Sequence, residues 1–250
     1  MFSVKTRRVA VPMVVACVGV LGSATAAHAQ SGGLSVTPAS LENRAKLGSV
    51  GSLTLNNTTR ETLRVTVTVR PWRQQLNGTV VADPRSNLTR YVRATTRTFN
   101  IGAGAKRPVS FRMVRRLSSL YASVDILGKP TNTKGRKGII PNYRLISKLR
   151  LNPAKKTYKF RTGAAQVRSG SVILPVRNLG NSIDPIGGSY RISGPSSKNG
   201  NAAAISALPG KLVGLNLGST RGMKKGRYTV TATVKQGSRS ANVRTSFTIR

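Results

Sequence analysis

The sequence predicts an all-β protein built from two β-sandwich domains in tandem, and three observations support this fold class. The run Leu63–Arg70 alternates strictly between apolar and polar residues, as expected of a strand in an antiparallel sheet with one buried face. Short strand-like runs recur at regular intervals between Gly, Asn and Pro turns, which is typical of sandwiches. The second half of the chain repeats the plan of the first half in a shorter form.

The first 29 residues have the composition of a signal peptide. Lys5, Arg7 and Arg8 form a positively charged start, an apolar run follows at Val9–Leu21, and Ala27–Ala29 supplies the small residues of a cleavage site. The apolar run has about 13 residues, whereas a helix that spans a bilayer needs roughly 20. We therefore expect cleavage after residue 29 and export to the periplasm, the cell wall or the extracellular space, with no transmembrane anchor left.

Three other interpretations of this leader stay open. It would remain attached as an N-terminal membrane anchor if it were not cleaved. Arg7-Arg8 would belong to a twin-arginine export signal, and Cys17 would be the lipidated residue of a lipoprotein. The apolar run continues past Cys17 and ends in a conventional cleavage site, which favours the signal peptide.

The first domain is expected at residues 30–152 and the second at residues 153–250, because Asn152-Pro153 is a natural stop between strands. The opening strand tolerates Pro38, since an edge strand can spare a backbone donor. Asn77-Gly78 is a turn signal, and residues 78–91 are expected to be rich in loops. The strands expected in the first domain are Leu34–Leu41, Ser52–Asn56, Leu63–Arg70, Phe99–Gly104 with its terminal turn, Val109–Met113, Leu120–Leu127 and Tyr143–Leu151.

Pro71 is expected to disturb the long strand that begins at Leu63, because proline has no N–H for the ladder. Trp72 then falls on the wrong parity to continue the buried set of side chains. We expect a bulge or bend at Pro71 that turns Trp72 towards the core. The alternative is a half-exposed Trp72.

The second domain echoes the first at several points. Ser171–Asn178 resembles the strand that ends in Asn56-Asn57, and Leu208–Gly210 resembles the turn at Gly102–Gly104. The strand Gly226–Val234 corresponds to Leu120–Leu127. Its inward residues and the elements after it are Tyr228, Val230, Ala232, Val234, a hairpin at Gln236–Ser238 and a closing strand at Val243–Ile249.

The residue inventory argues against catalysis and metal binding. Cys17 and His28 are the only residues of their types, and both lie in the leader. The mature chain therefore lacks a disulfide framework, a structural zinc site and a nucleophile–histidine pair. The acidic residues stand singly in the sequence, at Glu42, Glu61, Asp83, Asp125 and Asp184. We expect a non-enzymatic protein with no cofactor and no metal, although Lys–Ser and Lys–Tyr chemistry stays open on residue counts alone.

The charge of the chain is strongly positive. Without the three basic residues of the leader, 39 of the 42 Lys and Arg residues remain against 5 acidic residues, a formal net charge of +34. Such a charge attracts polyanions. For an exported protein we expect anionic wall polymers or lipid head groups rather than nucleic acid. The alternative is a solvated strand face, because Lys and Arg on edge strands also guard against aggregation.

Several motifs of the first half occur together in one family. They are Ser35–Pro38, the strand Leu53–Asn56, the strand that runs to Trp72, Phe99–Gly104, the strand Leu120–Leu127 and the closing Lys148–Pro153. With these motifs, about 120 residues of the chain resemble the N-terminal domain of the periplasmic pilus-assembly chaperones, and the second half resembles that family only loosely. The resemblance implies a two-domain immunoglobulin-like architecture. A weaker resemblance is to immunoglobulin-like wall-associated surface proteins of Gram-positive bacteria.

The family resemblance implies a partner-binding strand. In these chaperones the last strand of the first domain offers alternating apolar side chains and free backbone groups to a partner that lacks a strand, which is β-augmentation. Here the corresponding residues are Tyr143, Leu145, Leu149 and Leu151, interrupted by Ser147. The alternative is that this strand only closes its own sheet.

The family also holds the C-terminal carboxylate of the partner with an Arg on the first strand and a Lys on the last. Lys148 matches the lysine by its distance from Pro153. The arginine does not carry over, because Ala39 and Ser40 stand near its place and Arg44 comes several residues later.

Two hypotheses about function follow. The first is a non-enzymatic, exported, chaperone-like binding module that engages another secreted or surface protein through a sheet edge. The alternative is a basic structural protein of the cell wall or envelope that is held by anionic polymers. Strand pairing survives high salt, whereas retention by charge is lost there, because salt screens exposed charges.

Overall fold

The computed structural model describes residues 33–135 and 137–250, and the expected signal peptide lies outside this range. Within the described residues all regular structure is β, with eighteen strands and no α-helix. The same residues contain no helix that is long and apolar enough to cross a membrane. The all-β fold class expected from the sequence is confirmed.

The first half of the described chain forms a sandwich. Its strands are β1 Leu34–Thr37, β2 Ser40–Arg44, β3 Gly48–Asn57, β4 Leu63–Gln74, β5 Val80–Ala82, β6 Val92–Ala94, β7 Thr98–Ile101, β8 Lys106–Met113, β9 Leu120–Pro130 and β10 Tyr143–Asn152. One sheet has the order β1-β3-β8-β6. The other has the order β2-β10-β9-β4-β5, with β7 beside β4.

The alternating run of β4 forms the centre of the first core, as the sequence predicts. Leu63, Val65, Val67 and Val69 are at most 3% exposed. They belong to one buried cluster with inward side chains of the opposite sheet, such as Phe111 on β8. The intervening polar residues face outward, so this sheet has one buried and one solvated face.

The chain passes from one sheet to the other at its first strand. β1 pairs antiparallel with β3, whereas β2 pairs parallel with β10. Between them lies Pro38, whose peptide bond with Thr37 is cis. The single edge strand expected over Leu34–Leu41 is therefore wrong, since two short edge strands in different sheets take its place. Gly48 and Gly51 both lie within β3, and the register with β8 shifts between Ser49 and Gly51.

The expected bulge at Pro71 is wrong, because β4 runs through this residue in register with β9. Pro71 stands opposite Ala122 of β9, and its carbonyl accepts a hydrogen bond from the N–H of Asp83 at 2.9 Å. The nitrogen of Pro71 points to the same side as its carbonyl, away from β9, so the ladder loses no donor. Trp72 keeps its outward parity and is half-buried, which agrees with the alternative.

The second half of the described chain forms another pair of sheets. Its strands are β11 Phe160–Thr162, β12 Gln166–Arg168, β13 Ser171–Asn178, β14 Ile186–Ser193, β15 Lys198–Ile205, β16 Leu212–Ser219, β17 Gly226–Gln236 and β18 Arg239–Ile249. β11 and β12 pair with successive parts of β13, and β13 also pairs with β16. The other sheet has the order β15-β14-β17-β18.

A second hydrophobic core, separate from the first, fills this half. It includes Leu174 from β13 and Tyr228 and Val230 from β17. The rings of Tyr228 and Phe247 stack with their centroids 5.3 Å apart. The domain boundary expected at Asn152-Pro153 falls where β10 ends and the connection to β11 begins, and its position stays a prediction.

The pairing of strands repeats between the two halves. β13 pairs with β16 as β3 pairs with β8, and the row β14-β17-β18 corresponds to β4-β9-β10. The hairpin between β17 and β18 has the two-residue loop Gly237-Ser238, with Gly237 at a φ of 52° and Gln236 opposite Arg239. The sequence echoes at β13 and β17 therefore mark strands in corresponding positions.

Candidate functional site

The last strand of the first half, β10, is paired along its whole length on one side only. On that side it runs antiparallel to β9 from Tyr143 to Leu151. On the other side β2 runs parallel to it, and this pairing covers only Lys148–Asn152. No described strand pairs with Tyr143–Ser147 on this second side, and we call this segment the open edge.

Backbone polar groups at the open edge have no strand to bond to among the described residues. The N–H of Lys148 and the Oγ of Ser147 both donate to the carbonyl of Ala39, at 3.0 and 2.9 Å, and there the pairing with β2 ends. Backbone groups of every second residue point to the same side of a strand, so those of Arg144 and Ile146 point the same way as those of Lys148. They form the row to which a further strand would bond.

The apolar side chains predicted to bind a partner fall into two groups. Leu149 and Leu151 are 0% exposed in the first core, beside the part of β10 that β2 already covers. Tyr143 and Leu145 lie on the open edge, and both are partly buried against the same core. Of the predicted apolar residues, therefore, Tyr143 and Leu145 are the ones beside unpaired backbone.

Two isoleucines add exposed apolar surface near the open edge. Ile146 faces outward from β10 and is 48% exposed. Ile139, in the connection from β9 to β10, is 98% exposed. The side chain of Ile146 is therefore accessible to a chain that pairs with the open edge.

An ion cluster fixes the side chain of Arg144 while its backbone stays at the open edge. Arg144 donates to the two carboxylate oxygens of Asp125, from Nε at 2.9 Å and from Nη2 at 3.1 Å. The Nε of Arg70 donates to the same carboxylate at 2.7 Å, and its Nη1 donates to the carbonyls of Pro84 and Ser86. The cluster therefore ties β10 to β9 and β4 on their outward faces.

The carboxylate of Asp125 is held in its charged form. Its side chain is 8% exposed, and burial alone would raise the pKa. The hydrogen bonds from Arg144 and Arg70 outweigh burial, so the pKa of Asp125 lies below its usual value. At neutral pH the cluster therefore contains one negative charge and two positive charges.

A small cavity of about 170 Å³ lies where β10 approaches the second half of the chain. Lys148 and Arg150 contribute to its wall from β10, and Tyr121 contributes from β9. Trp72 lines it as well, and Leu208 closes it from the second half. Lys148, the candidate for carboxylate binding, thus lines a cavity beside the part of β10 that follows the open edge.

Arg150 is a cation that the sequence analysis missed. It follows Lys148 by two residues, so both side chains lie on the same face of β10. Its Nη1 also contacts the carboxylate of Glu42 on β2 at 2.8 Å. Arg44, which the family pattern would have used, pairs in register with Asn152 and does not line this cavity. The two-residue spacing between positions 148 and 150, which places both side chains on one face of a strand, was the signal available in the sequence.

Tyr121 adds a neutral hydroxyl to the cavity. Its OH donates to the carbonyl of Asn181 at 3.2 Å. Burial, with a further contribution from the charge of Asp184, raises the pKa of Tyr121 to about 12. The phenol therefore stays protonated at any physiological pH.

Gln74 connects the two halves next to this cavity. Its Nε2 donates to the carbonyl of Ser206 at 2.7 Å, and its Oε1 accepts from the N–H of Leu208 at 2.8 Å. The carbonyl of Leu76, two residues later, accepts from the N–H of Gly214 at 2.7 Å. The end of β4 and the turn after it are therefore bonded to the second sandwich.

Comparison with known proteins gives matches among solved structures alone: no protein-family model and no curated protein matches the sequence. A chain from a study described as "Chaperone-tip adhesin complex is vital for synergistic activation of CFA/I fimbriae biogenesis" has a TM-score of 0.50 and 11% identity. The match covers 86% of this chain and 97% of that one. The YadV chaperone has a TM-score of 0.45 and 13% identity, over 86% of this chain and 99% of its own. The class 5 fimbriae chaperone CfaA has a TM-score of 0.45 and 11% identity, over 85% and 98%.

At this level of identity the likeness shows the fold. The match to the chaperone–adhesin study extends over both halves of the described chain, and it supports two immunoglobulin-like β-sandwiches. The resemblance to pilus-assembly chaperones expected from the sequence is confirmed as a distant likeness of fold.

Proposed function

We propose that this protein is an exported, non-enzymatic, chaperone-like binding module that pairs the open edge of β10 with a strand of another secreted or surface protein. The observation that carries this proposal is that β10 is paired with β9 on one side over Tyr143–Leu151, whereas on its other side β2 pairs only with Lys148–Asn152 and leaves Tyr143–Ser147 unpaired. One similar chain comes from a study of a chaperone–tip adhesin complex. This supports the choice of a secreted or surface protein as the partner.

Backbone hydrogen bonds at the open edge supply the affinity. The N–H and C=O groups of Arg144 and Ile146 are free to bond with an added strand. Each such bond contributes about 0.5–1.5 kcal/mol net, so four of them contribute roughly 2–6 kcal/mol before the cost of association is subtracted. Backbone pairing alone therefore gives weak binding, and side-chain contacts must add to it.

Side chains beside the open edge supply selectivity. Tyr143 and Leu145 are partly buried, so their remaining surface is available to apolar residues at alternate positions of the partner strand. Ile146 offers apolar contact on the opposite face of β10. Leu149 and Leu151 act in this proposal as the core that supports the strand.

The cationic cavity at the end of the strand gives the partner a second point of attachment. Lys148 and Arg150 line it together, and a carboxylate forms strong charge-assisted hydrogen bonds with such a pair. We propose that they hold a C-terminal carboxylate of the partner, with Arg150 in the role that the pilus chaperones give to an arginine on the first strand. The ion pair of Arg150 with Glu42 leaves part of its guanidinium free for this contact.

A second candidate function is retention at the cell envelope by anionic polymers. The chain has 42 Lys and Arg residues against 5 Asp and Glu residues. Four of these acids, Glu42, Asp83, Asp125 and Asp184, already form ion pairs within the described chain. The excess positive charge is therefore available to external anions.

The test uses the mature chain, residues 30–250, and two variants at one edge position. Ile146→Pro removes an edge-facing N–H, and Ile146→Val keeps that N–H together with an apolar, β-branched side chain. The mature chain should capture one defined protein from envelope extract at about 1 M salt, where charge is screened. Ile146→Val should retain most of this capture, whereas Ile146→Pro should lose it.

Hydrogen exchange distinguishes edge pairing from other modes of binding. Addition of the captured partner should slow hydrogen exchange at the Arg144 and Ile146 amides, because the carbonyl groups of an added strand accept hydrogen bonds from them. Unchanged exchange at these amides would rule out the open edge. Recovery of only anionic polymer, and only at low salt, would favour the envelope-retention function instead.

A further inference from the structure

A second cationic site lies at the opposite end of β4 from Trp72. It is a pocket of about 540 Å³ on the outward face of the sheet. Arg64 of β4 and Lys129 of β9 line it, together with polar side chains of Thr98, Asn100 and Thr131. No acidic residue lines this pocket within the described chain.

The two cations stand directly opposite each other on adjacent strands. Arg64 and Lys129 are register partners, which places their Cβ atoms about 5 Å apart. Like charges in this position repel each other and destabilise the strand pair. In residues 33–135 and 137–250 neither forms an ion pair with a carboxylate. The pocket therefore holds two close positive charges without a neutralising group.

A third cation adds to this charge. The guanidinium of Arg107 lies over the ring of Phe99, 4.4 Å from its centroid, and its Nη1 donates to the carbonyl of Asn100 at 3.3 Å. Both of these contacted residues line the pocket. Arg107 is thus held beside the pocket wall.

Backbone bonds keep the pocket in shape without a ligand. Asn100 is the register partner of Arg64 on the side away from Lys129, so these residues form a continuous row across three strands. Thr131 donates to the carbonyl of Thr62 from its N–H at 3.0 Å and from its Oγ1 at 3.1 Å. These bonds fix the end of β9 against the start of β4.

We propose that this pocket binds a phosphate group. A phosphate has several acceptor oxygens and a charge of one or two, which suits a fork of Arg and Lys donors surrounded by hydroxyl and amide groups. The proposal does not depend on the open edge, because the edge belongs to β10, whereas the pocket is lined by residues of β4, β7 and β9 and by Thr131. It gives the excess positive charge of the chain a defined place of contact with phosphate-bearing envelope components.

Inorganic phosphate at low ionic strength is the probe that tests the site. The mature chain should bind it, and Arg64→Gln with Lys129→Gln should weaken binding at least tenfold. A charge-matched control, Lys211→Gln with Arg221→Gln in the second sandwich, should change affinity less than twofold. Equal losses in the two double variants would show that only net charge matters and would overturn the site.

A measurement on the unmodified chain keeps the proposal testable if the pocket variant does not fold. In NMR titration with inorganic phosphate, the largest shift changes should fall on the amides of Thr98, Asn100 and Lys129. Changes centred elsewhere would contradict the pocket. Poly(glycerol phosphate) and phosphatidylglycerol vesicles then distinguish a polymer from a lipid as the source of the phosphate. The natural source is the probe whose binding requires Arg64 and Lys129 and is reduced by competing inorganic phosphate.

Discussion

Asn57 and Asn178 occupy corresponding positions at the ends of β3 and β13, and their buried carboxamides make the same hydrogen bonds. Each Nδ2 donates at 2.7 Å to the carbonyl of the residue four positions later. Each Oδ1 accepts from the N–H two positions later, at 3.0 and 2.9 Å. Each Nδ2 also reaches a distant loop carbonyl, of Gly102 in one case and of Ala207 in the other. In each sandwich, one buried asparagine side chain thus fixes the corresponding turn.

We expect Asn57→Ala and Asn178→Ala to destabilise different parts of the chain. Each substitution leaves buried carbonyls without a donor and should lower the free energy of unfolding by about 2–3 kcal/mol. Scanning calorimetry of the mature chain should show that Asn57→Ala shifts the transition of the first sandwich and Asn178→Ala that of the second. The control is Asn56→Ala, at a half-buried neighbour whose side chain has no described hydrogen bond, with an effect below about 0.5 kcal/mol. A single transition shifted equally by both buried-site variants would contradict two separately folding domains.

Asp125→Asn should destabilise the first sandwich in a pH-dependent way. The neutral amide leaves two arginines without their charge partner, and the loss at pH 7 should be about 2–3 kcal/mol. Because the pKa of Asp125 is lowered on folding, its contribution is full above the unfolded value of about 3.9 and is lost as pH falls below it. Urea unfolding should therefore show a large difference from the unmodified chain at pH 7, and this difference should shrink as pH falls through the lowered pKa of Asp125 in the folded chain.

Glu42→Gln provides the comparison for this prediction. Glu42 contacts Arg150 at 2.8 Å, but both side chains are well exposed, so the loss should stay below about 1 kcal/mol. If the two variants lost equal stability, burial of the Asp125 cluster would not be the cause.

Gln74→Ala should loosen the connection between the two sandwiches. The substitution removes the acceptor for Leu208 N–H and the donor for Ser206 carbonyl, at a cost of about 1–2 kcal/mol. Trp72, the one Trp in the sequence, lines the neighbouring cavity and is a natural reporter. Its fluorescence emission should shift to longer wavelength as water enters, whereas Gln75→Ala, at an exposed position, should leave the emission unchanged.

Tyr121→Phe should change the behaviour of the protein in alkaline solution. The pKa of Tyr121 is raised to about 12 in the folded chain, so folding favours its protonated form. This contribution is present below pH 10 and is lost as pH rises towards 12. Ultraviolet titration should lose one late-titrating phenol in the variant, and stability between pH 10 and 12 should fall less steeply than in the unmodified chain. An unchanged titration curve would place the late phenol elsewhere.

Alternation of apolar and polar residues predicted the centre of the fold because it depends on neighbours in sequence. The inward sets of β4, β8 and β17 are buried as their patterns indicate. The effects of Pro71 and Pro38 on their strands are harder to predict, because they depend on which side of the strand has a partner. The sequence does not show that the nitrogen of Pro71 points away from β9, so that the ladder loses no donor. It also does not show that the chain changes sheets at Pro38.

The candidate site was predictable in part. The family motif located β10 and Lys148, but it did not show that β2 covers Lys148–Asn152 and leaves Tyr143–Ser147 open. That difference results from the switch of sheets near Ala39, which is a property of tertiary structure. The alternation along β10 places Arg150 on the same face as Lys148, but only the tertiary structure shows that both side chains line one cavity.

The continuity of β4 through Pro71 has a mechanical consequence. The strand is bonded to β9 over Leu63–Pro71, and the turn that follows it is bonded to the second sandwich at Gly214. A partner that pulls on β10 along the strand direction loads the β10–β9 and β9–β4 ladders in shear, so many hydrogen bonds share the force at once. Such a force would pass through the turn after Gln74 into the second sandwich, through the hydrogen bond between Leu76 and Gly214.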